Sequence, residues 1–360
     1  MKKFIATLVA FSFLLTGCSG GEDETFEVAL VTDAGNINDK SFNQSAWEAV
    51  EQYAKETDTT YKYYKPATFD TAGYLSSIEE AVANGAKVVV TPGFKFNEAM
   101  YDAQDEFPEV NFIMIDAAPQ KDGEVKVSDN VYSVGYKEEQ PGYLAGYAAV
   151  KDGNTKLGFM GGIALPAVMN FGFGFAQGAR DAAKELGVEI ELKYRYTGSF
   201  VPTPEIKAEA ATWYNEGTEV IFSCGGGICD SIFAAAQEAG AKSIGVDSDQ
   251  KDASKTVITS AMKGVRNTVY DALVAYGKDA FPAGNNKTEI LGADGGYVGL
   301  SDDFSRFESF DKDQYDEVLG KIKAGEVEIR NMNDHVDSEG NPHGDPTVFE
   351  SESLKVSYFK

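Results

Sequence analysis

The 360-residue chain carries 57 acidic against 32 basic side chains, a formal charge of −25, with 43% hydrophobic residues. So acidic a surface repels nucleic acid and anionic headgroups, both polyanions, and this excludes direct binding to either. Three cysteines are too few for a disulfide-stabilised scaffold, while the length and apolar content suit two ordinary globular domains.

Lys2 and Lys3 followed by the apolar run Phe4 to Leu15 form a leader too short to span a bilayer as a permanent helix. Leu14-Leu15-Thr16-Gly17-Cys18 comes next and resembles a bacterial lipobox, which marks residues 1–17 as a signal peptide and Cys18 as the lipidated amino terminus of the mature chain. Residues 18–25 then read as a short acidic tether, so the lipid alone would hold the protein to a membrane.

From Phe26 the pattern alternates short β-rich runs with amphipathic helical stretches, the signature of parallel sheets flanked by helices. Phe26 to Val31 predicts a buried strand and Ser45 to Lys55 a helix, with the polar loop Val31 to Gln44 between them. Strands follow at Thr60 to Lys65, Lys87 to Thr91, Val110 to Ile115 and Val131 to Val134, and helices at Ala72 to Ala83 and Asn97 to Glu106. A second unit begins near Lys137. Its Ala-, Gly- and Tyr-rich helix Glu139 to Val150 suits close packing at a junction. Further strands are expected at Lys156 to Met160, Val188 to Tyr196, Glu219 to Ser223, Ser243 to Val246 and Thr256 to Ser260. The intervening helices are Val168 to Leu186, Glu205 to Asn215 and Ile228 to Ala239. Val265 to Lys278 should cross back to the first unit, and Asp313 to Lys323 adds a helix in the charged carboxyl-terminal stretch.

The resulting fold class is α/β, with two doubly wound parallel-sheet lobes joined by a hinge. The first lobe takes residues 26–136 plus about 262–295, the second 137–261 plus about 296–335, and residues 336–360 read as a tail.

Open α/β sheets bind ligands at strand carboxyl ends, where free N–H groups and protruding side chains converge. Asp33, Asp116 and Asp247 each follow an apolar strand at once. One such Asp is an ordinary helix N-cap, but three on edges that can face one another point to a cleft between lobes. Phe42, Asn43, Phe200 and the Gly225 to Gly227 turn occupy comparable positions. Cys224 and Cys229 flank that turn; their spacing permits a bridge, yet the glycines between them suggest a tight turn with another purpose.

An enzyme fits poorly. His335 and His343 are the only histidines, both in the polar carboxyl-terminal stretch, and neither a Gly-x-Ser-x-Gly nor a P-loop pattern occurs, so no catalytic residue is assigned. The Asp247-Ser248-Asp249 and Asp252 cluster lacks the turn Gly and terminal Glu of a calcium loop, so no metal or cofactor is expected. A carboxylate-only hydrolase stays open as the rival class.

Asp39-Lys40-Ser41-Phe42-Asn43-Gln44, Gly161-Gly162, Phe171-Gly172-Phe173-Gly174-Phe175, Gly245-Val246-Asp247-Ser248-Asp249-Gln250 and Thr259-Ser260-Ala261-Met262-Lys263 resemble the basic membrane protein family of lipoproteins. Its best-understood type is the purine nucleoside receptor of bacterial ABC importers. The resemblance, from about Phe26 to Lys360, implies a type I periplasmic binding protein, monomeric, extracytoplasmic and partnered by permease and ATPase subunits. It implies that Phe42 and either Phe200 or Phe171 sandwich a base, and that Asp33 and Asn43 read its edge. Asp116 and Asp247 would accept from ribose hydroxyls, Lys263 would donate or balance charge, and Gly225 and Gly226 would let backbone approach the ligand. A sugar or an autoinducer-like furanose in the same fold is the alternative ligand.

Overall fold

The computed structural model describes residues 25–335 and 343–360. The expected signal segment, Cys18 and nearly all of the expected tether lie outside the described residues, as do residues 336–342 of the expected tail.

The first sheet is built from strands β1 (Val28–Val31), β2 (Tyr61–Tyr64), β3 (Val88–Pro92) and β4 (Asn111–Ile115). A two-residue hairpin, β5 (Gln120–Lys121) with β6 (Glu124–Val125), stands apart from it, and β7 (Val131–Tyr136) follows. The second sheet uses β8 (Lys156–Gly161), β9 (Ile190–Tyr196), β10 (Val220–Cys224), β11 (Lys242–Asp247) and β12 (Val257–Lys263). Three later strands are divided between the sheets: β13 (Glu289–Leu291) joins the first, and β14 (Val298–Leu300) and β15 (Leu354–Phe359) join the second. The orders are β13-β7-β4-β3-β1-β2 and β14-β12-β11-β10-β8-β9-β15. Every pairing within them is parallel except β12 with β14.

The helices are α1 (Phe42–Thr57), α2 (Thr71–Ala83), α3 (Asn97–Glu106), α4 (Glu139–Lys151), α5 (Pro166–Leu186), α6 (Pro204–Asn215), α7 (Ile228–Ala239), α8 (Val265–Tyr276) and α9 (Lys312–Lys323). In each sheet the chain runs outward on both sides of its first strand, so the topological switch points fall between β1 and β3 and between β8 and β10. Helix α8 returns to the first lobe, where Arg266 donates to Gln52 at 2.9 Å and Tyr276 to Glu27 at 2.9 Å. The chain therefore crosses between lobes three times, after β7, after β12 and between β13 and β14.

Two expectations change. Helix α1 starts at Phe42, three residues earlier than its apolar face suggests. The last residues are not a loose tail: β15 pairs with β9 along its whole length, and Leu354 and Phe349 are buried. Its alternation, with Leu354, Val356 and Tyr358 more covered than Lys355, Ser357 and Phe359, is that of a strand with one face on a core.

The junction helices α4 and α5 touch backbone to backbone. A Cβ on Gly146 would lie 2.1 Å from the Phe175 carbonyl oxygen, and one on Gly178 1.9 Å from that of Tyr143. Glycine here is a matter of close approach, since neither position has a positive φ. Gly146→Ala should therefore force the helices apart and destabilise the fold by about 1–3 kcal/mol. Denaturant titration checks this, and an unchanged midpoint would contradict it.

Candidate functional site

The loop after β1 is organised by Asp39. Its carboxylate accepts the backbone N–H groups of Ser41 at 2.9 Å, Asn43 at 3.0 Å and Gln44 at 3.1 Å, serving the otherwise unpaired amides that open α1. That acidic cap explains the early helix start. Asn43 is buried and donates its side-chain amide to Asp33 and to Asp39, each at 2.9 Å, while its Oδ1 accepts the Asp33 N–H at 3.3 Å. Both amide hydrogens are thus engaged, and only Oδ1 keeps acceptor capacity to spare. Asp33 also accepts from the Gly35 N–H at 2.7 Å, and burial pushes its pKa up to about 6 against these hydrogen bonds.

Asp116 ends β4 and Asp247 ends β11, both with left-handed backbone, φ of 62° and 64°. This conformation suits Asp better than most residues and turns the chain sharply at the strand end. Between them lies Lys263, the last residue of β12, with its side chain only 2% exposed. Its ammonium sits 2.5 Å from Asp116 Oδ2 and 3.7 Å from both Asp247 Oδ1 and Glu138 Oε1. The Phe42 ring centroid is 4.6 Å from the same nitrogen, with Tyr136 at 5.5 Å and Phe171 at 5.6 Å, within cation–π range. Burial alone pulls the Lys263 pKa down, but Asp116, Asp247 and Glu138 together outweigh it and hold it above the usual lysine value. Burial raises Asp116 despite the opposing lysine, and its Oδ1 is buried without a protein partner.

Phe42 and Phe200 are half-buried, whereas Phe171 is only 2% exposed and packs edge-on against Phe222. Gly162 makes room for Phe200: a Cβ there would meet the ring at 2.4 Å. Gly225 lies against Gly162 in the same way, and Gly226 has φ of 53°. Cys224 and Cys229 are both free and buried, so no bridge joins them, and burial pushes the Cys229 thiol up to about 12.

All ten residues singled out in the sequence line one cleft. Asp33, Phe42, Asn43 and Phe94 come from beside the first switch point, and Leu165, Phe171, Gly225 and Gly226 from beside the second. Phe94, Leu165 and Cys224 were not anticipated as lining. Glu138, which stands behind Lys263 without lining the cleft, was not anticipated either; it sits in the charged and polar run Lys137-Glu138-Glu139-Gln140.

The lobes also touch directly. The Lys40 carbonyl accepts from Ser248 Oγ and Gln250 Nε2, each at 2.8 Å, and Ser41 Oγ donates to Asp247 Oδ2 at 2.5 Å. Lys40 Nζ reaches Asp230 at 2.8 Å across the same seam. This is the closed arrangement of a two-lobed clamp.

A cleft walled by two doubly wound lobes, with three chain crossings, defines a solute-binding protein of the type I periplasmic fold. A solved ABC transporter solute-binding protein from Aeropyrum pernix shares this fold, with a TM-score of 0.76, 24% identity, and coverage of 86% of this chain and 94% of that one. Residues 26–333 match the Bmp family, described as ABC transporter substrate-binding protein PnrA-like, and the chain belongs to that family. The ABC transporter nucleoside-binding protein BmpA of Lactococcus lactis subsp. cremoris is 31% identical over 358 residues, covering 89% of this chain and 99% of its own. Basic membrane protein B of Borreliella afzelii is 30% identical over 302 residues, covering 81% of this chain and 86% of its own. The protein is accordingly an ABC transporter substrate-binding protein, from a family of solute-binding proteins rather than enzymes. Among the described residues no helix is long and apolar enough to cross a membrane.

A carboxyl raised in the fold stabilises it fully only below its unfolded pKa. For Asp33 that contribution is present below about 3.8 and lost as pH rises through about 6. Asp33→Asn should then be more stable than the parent at pH 8 by about 2–3 kcal/mol, with the difference fading near pH 4. Thermal melts at the two pH values check this; a pH-independent difference would contradict it.

Proposed function

We propose that the protein is a lipid-anchored, extracytoplasmic receptor for nucleosides, purine nucleosides above all, which it delivers to ABC permease and ATPase subunits. The observation that carries this reading is the composition of the cleft lining. Asp116, Asp247 and Lys263 form a charged cluster with the Phe42 ring 4.6 Å from the ammonium, and Phe200 and Asp33 line the same cleft.

Vicinal ribose hydroxyls suit the charged cluster, because carboxylate acceptors give the stronger class of hydrogen bond and the Lys263 ammonium stands beside them as a donor. The unpartnered Asp116 Oδ1 is the acceptor offered to the ligand. A flat base suits the Phe42 and Phe200 rings, where offset aromatic contact adds to simple burial. Phe200, half-exposed in the cleft, is the ring we assign opposite Phe42; Phe171, buried against Phe222, serves as a wall near Lys263. Asp33 and the remaining lone pair of Asn43 Oδ1 would accept from N–H groups at the base edge. Gly226 offers backbone to the cleft with open space where a Cβ would stand, whereas Gly225 makes room for Gly162. Nucleotides are disfavoured, because their phosphates would meet several carboxylates with one ammonium to offset them. The name of the BmpA relative, a nucleoside-binding protein, supports the ligand class.

Closure would follow from differential contact, since a ligand touching both lobes favours the state in which both walls reach it. Asp116→Ala and Asp247→Ala should each weaken purine nucleoside binding by more than about tenfold, each deleting a charge-assisted hydrogen bond. Calorimetry with inosine, guanosine and adenosine checks this, and unchanged affinity in both variants would sink the ribose assignment. For the anchor, Cys18→Ser should move the protein from the membrane fraction to the medium; retention on the membrane would rule out lipidation at that residue.

A further inference from the structure

One buried carboxylate beside Lys263 does not line the cleft. Glu138 lies in the crossing between β7 and α4, its side chain 4% exposed, with Oε1 3.7 Å from the Lys263 ammonium. Its Oε2 accepts from Asn170 Nδ2 of α5 at 3.3 Å, and Asn170 Oδ1 in turn accepts the Met332 N–H at 3.0 Å. Lys263 itself begins the second crossing, just ahead of α8. Glu138 therefore connects two of the three crossings, and through Asn170 it connects them to the body of the second lobe.

The groups around Glu138 come from every neighbouring element. Asp116 stands at the end of β4, Lys263 at the end of β12, Cys224 at the end of β10, Asn170 on α5, and Glu139 on its own helix. Asp247 shares the same ammonium from β11. Three carboxylates thus face one cation in a place closed to water, and with all three ionised the cluster is left with excess negative charge. Such a cluster relieves itself by retaining a proton. Of the three, Asp116 holds the ammonium at 2.5 Å and Asp247 accepts from Ser41, while Glu138 has only the longer contacts. Burial first, then Asp116, pushes the Glu138 pKa up to about 8, with Lys263 opposing.

We propose that Glu138 is a positioning residue for the binding site: it fixes Lys263 from the hinge side, and it takes up a proton as the lobes close. The ligand senses it only through Lys263. Where the lobes part, water reaches the carboxylate and its proton is released more readily, so closure and protonation are linked. Affinity should fall as pH rises toward 8, mostly above the value of about 6 near which Asp33 titrates.

The nucleoside reading supplies the probe. Titration calorimetry with inosine, guanosine or adenosine, in buffers of differing ionisation enthalpy, should show the full-length protein taking up a proton on binding at pH 7. Its affinity should drop roughly tenfold between pH 6.5 and 8. Glu138→Gln keeps the side-chain shape and cannot titrate. It should bind as the parent does at pH 6.5, with a flat profile and without the uptake. A variant that keeps both the parental slope and the uptake would overturn the proposal. Asn170→Ala removes the hydrogen bond to Glu138 together with the one from the Met332 N–H, and serves if Glu138→Gln fails to fold. Affinity reduced threefold or more with the uptake retained supports the proposal, and unchanged affinity overturns it.

Should the parent bind no purine nucleoside, the functional reading fails, and ligand-free small-angle scattering then decides this one. If closure and protonation are linked, the parent should be more compact at pH 6.5 than at pH 8 and Glu138→Gln equally compact at both; a parent whose radius of gyration does not change with pH overturns the proposal.

Discussion

A lysine withdrawn from water keeps its charge only where carboxylates surround it, and Lys263 has three within 3.7 Å. Each comes from a different part of the chain: Asp116 from the first sheet, Asp247 from the second, Glu138 from the crossing between them. The ammonium is therefore possible only when both lobes and the hinge are in place. The converse also holds, since these carboxylates would repel one another without it. The left-handed turns at Asp116 and Asp247, and the aromatic rings of Phe42, Tyr136 and Phe171 around the cation, all serve this one arrangement.

The seam beside the ammonium explains how two distant sequence motifs act together. Asp39 fixes the first turn of α1, which leaves the Lys40 carbonyl projecting toward the second lobe. Ser248 and Gln250 bind that carbonyl. Gln250 is itself held by the Val246 N–H at 3.0 Å and by Ser260 Oγ at 3.0 Å, so the receiving surface is preformed. The exposed Lys40–Asp230 pair adds little, because water and salt screen it. The buried Ser41–Asp247 hydrogen bond is the stronger tie, and it makes one carboxylate serve both closure and the cleft.

Much of this was legible in the sequence because apolar strand runs end abruptly in polar residues. Asp33, Asp116 and Asp247 stand out on that ground, and the alternation of strand and helix places their edges together. What escaped depended on tertiary contact. Glu138 sits beside charged Lys137 and Glu139, and only the meeting of the crossings buries it. The start of α1 depends on Asp39, which acts from outside the helix. Strand β15 alternates correctly over six residues, yet its charged surroundings read as a tail. The ring opposite Phe42 was undecided between Phe171 and Phe200, because helical spacing does not reveal which one is buried.

The central claim is that this closed cleft, lined by a charged cluster and by aromatic rings, holds an intact nucleoside. Gentle purification followed by native mass spectrometry tests it most directly, with the released small molecule identified after denaturation. The account predicts a stoichiometric purine nucleoside, base and ribose still joined. A hexose or furanose in its place would contradict the assignment of the aromatic rings, and free base with free ribose would return the protein to the hydrolases.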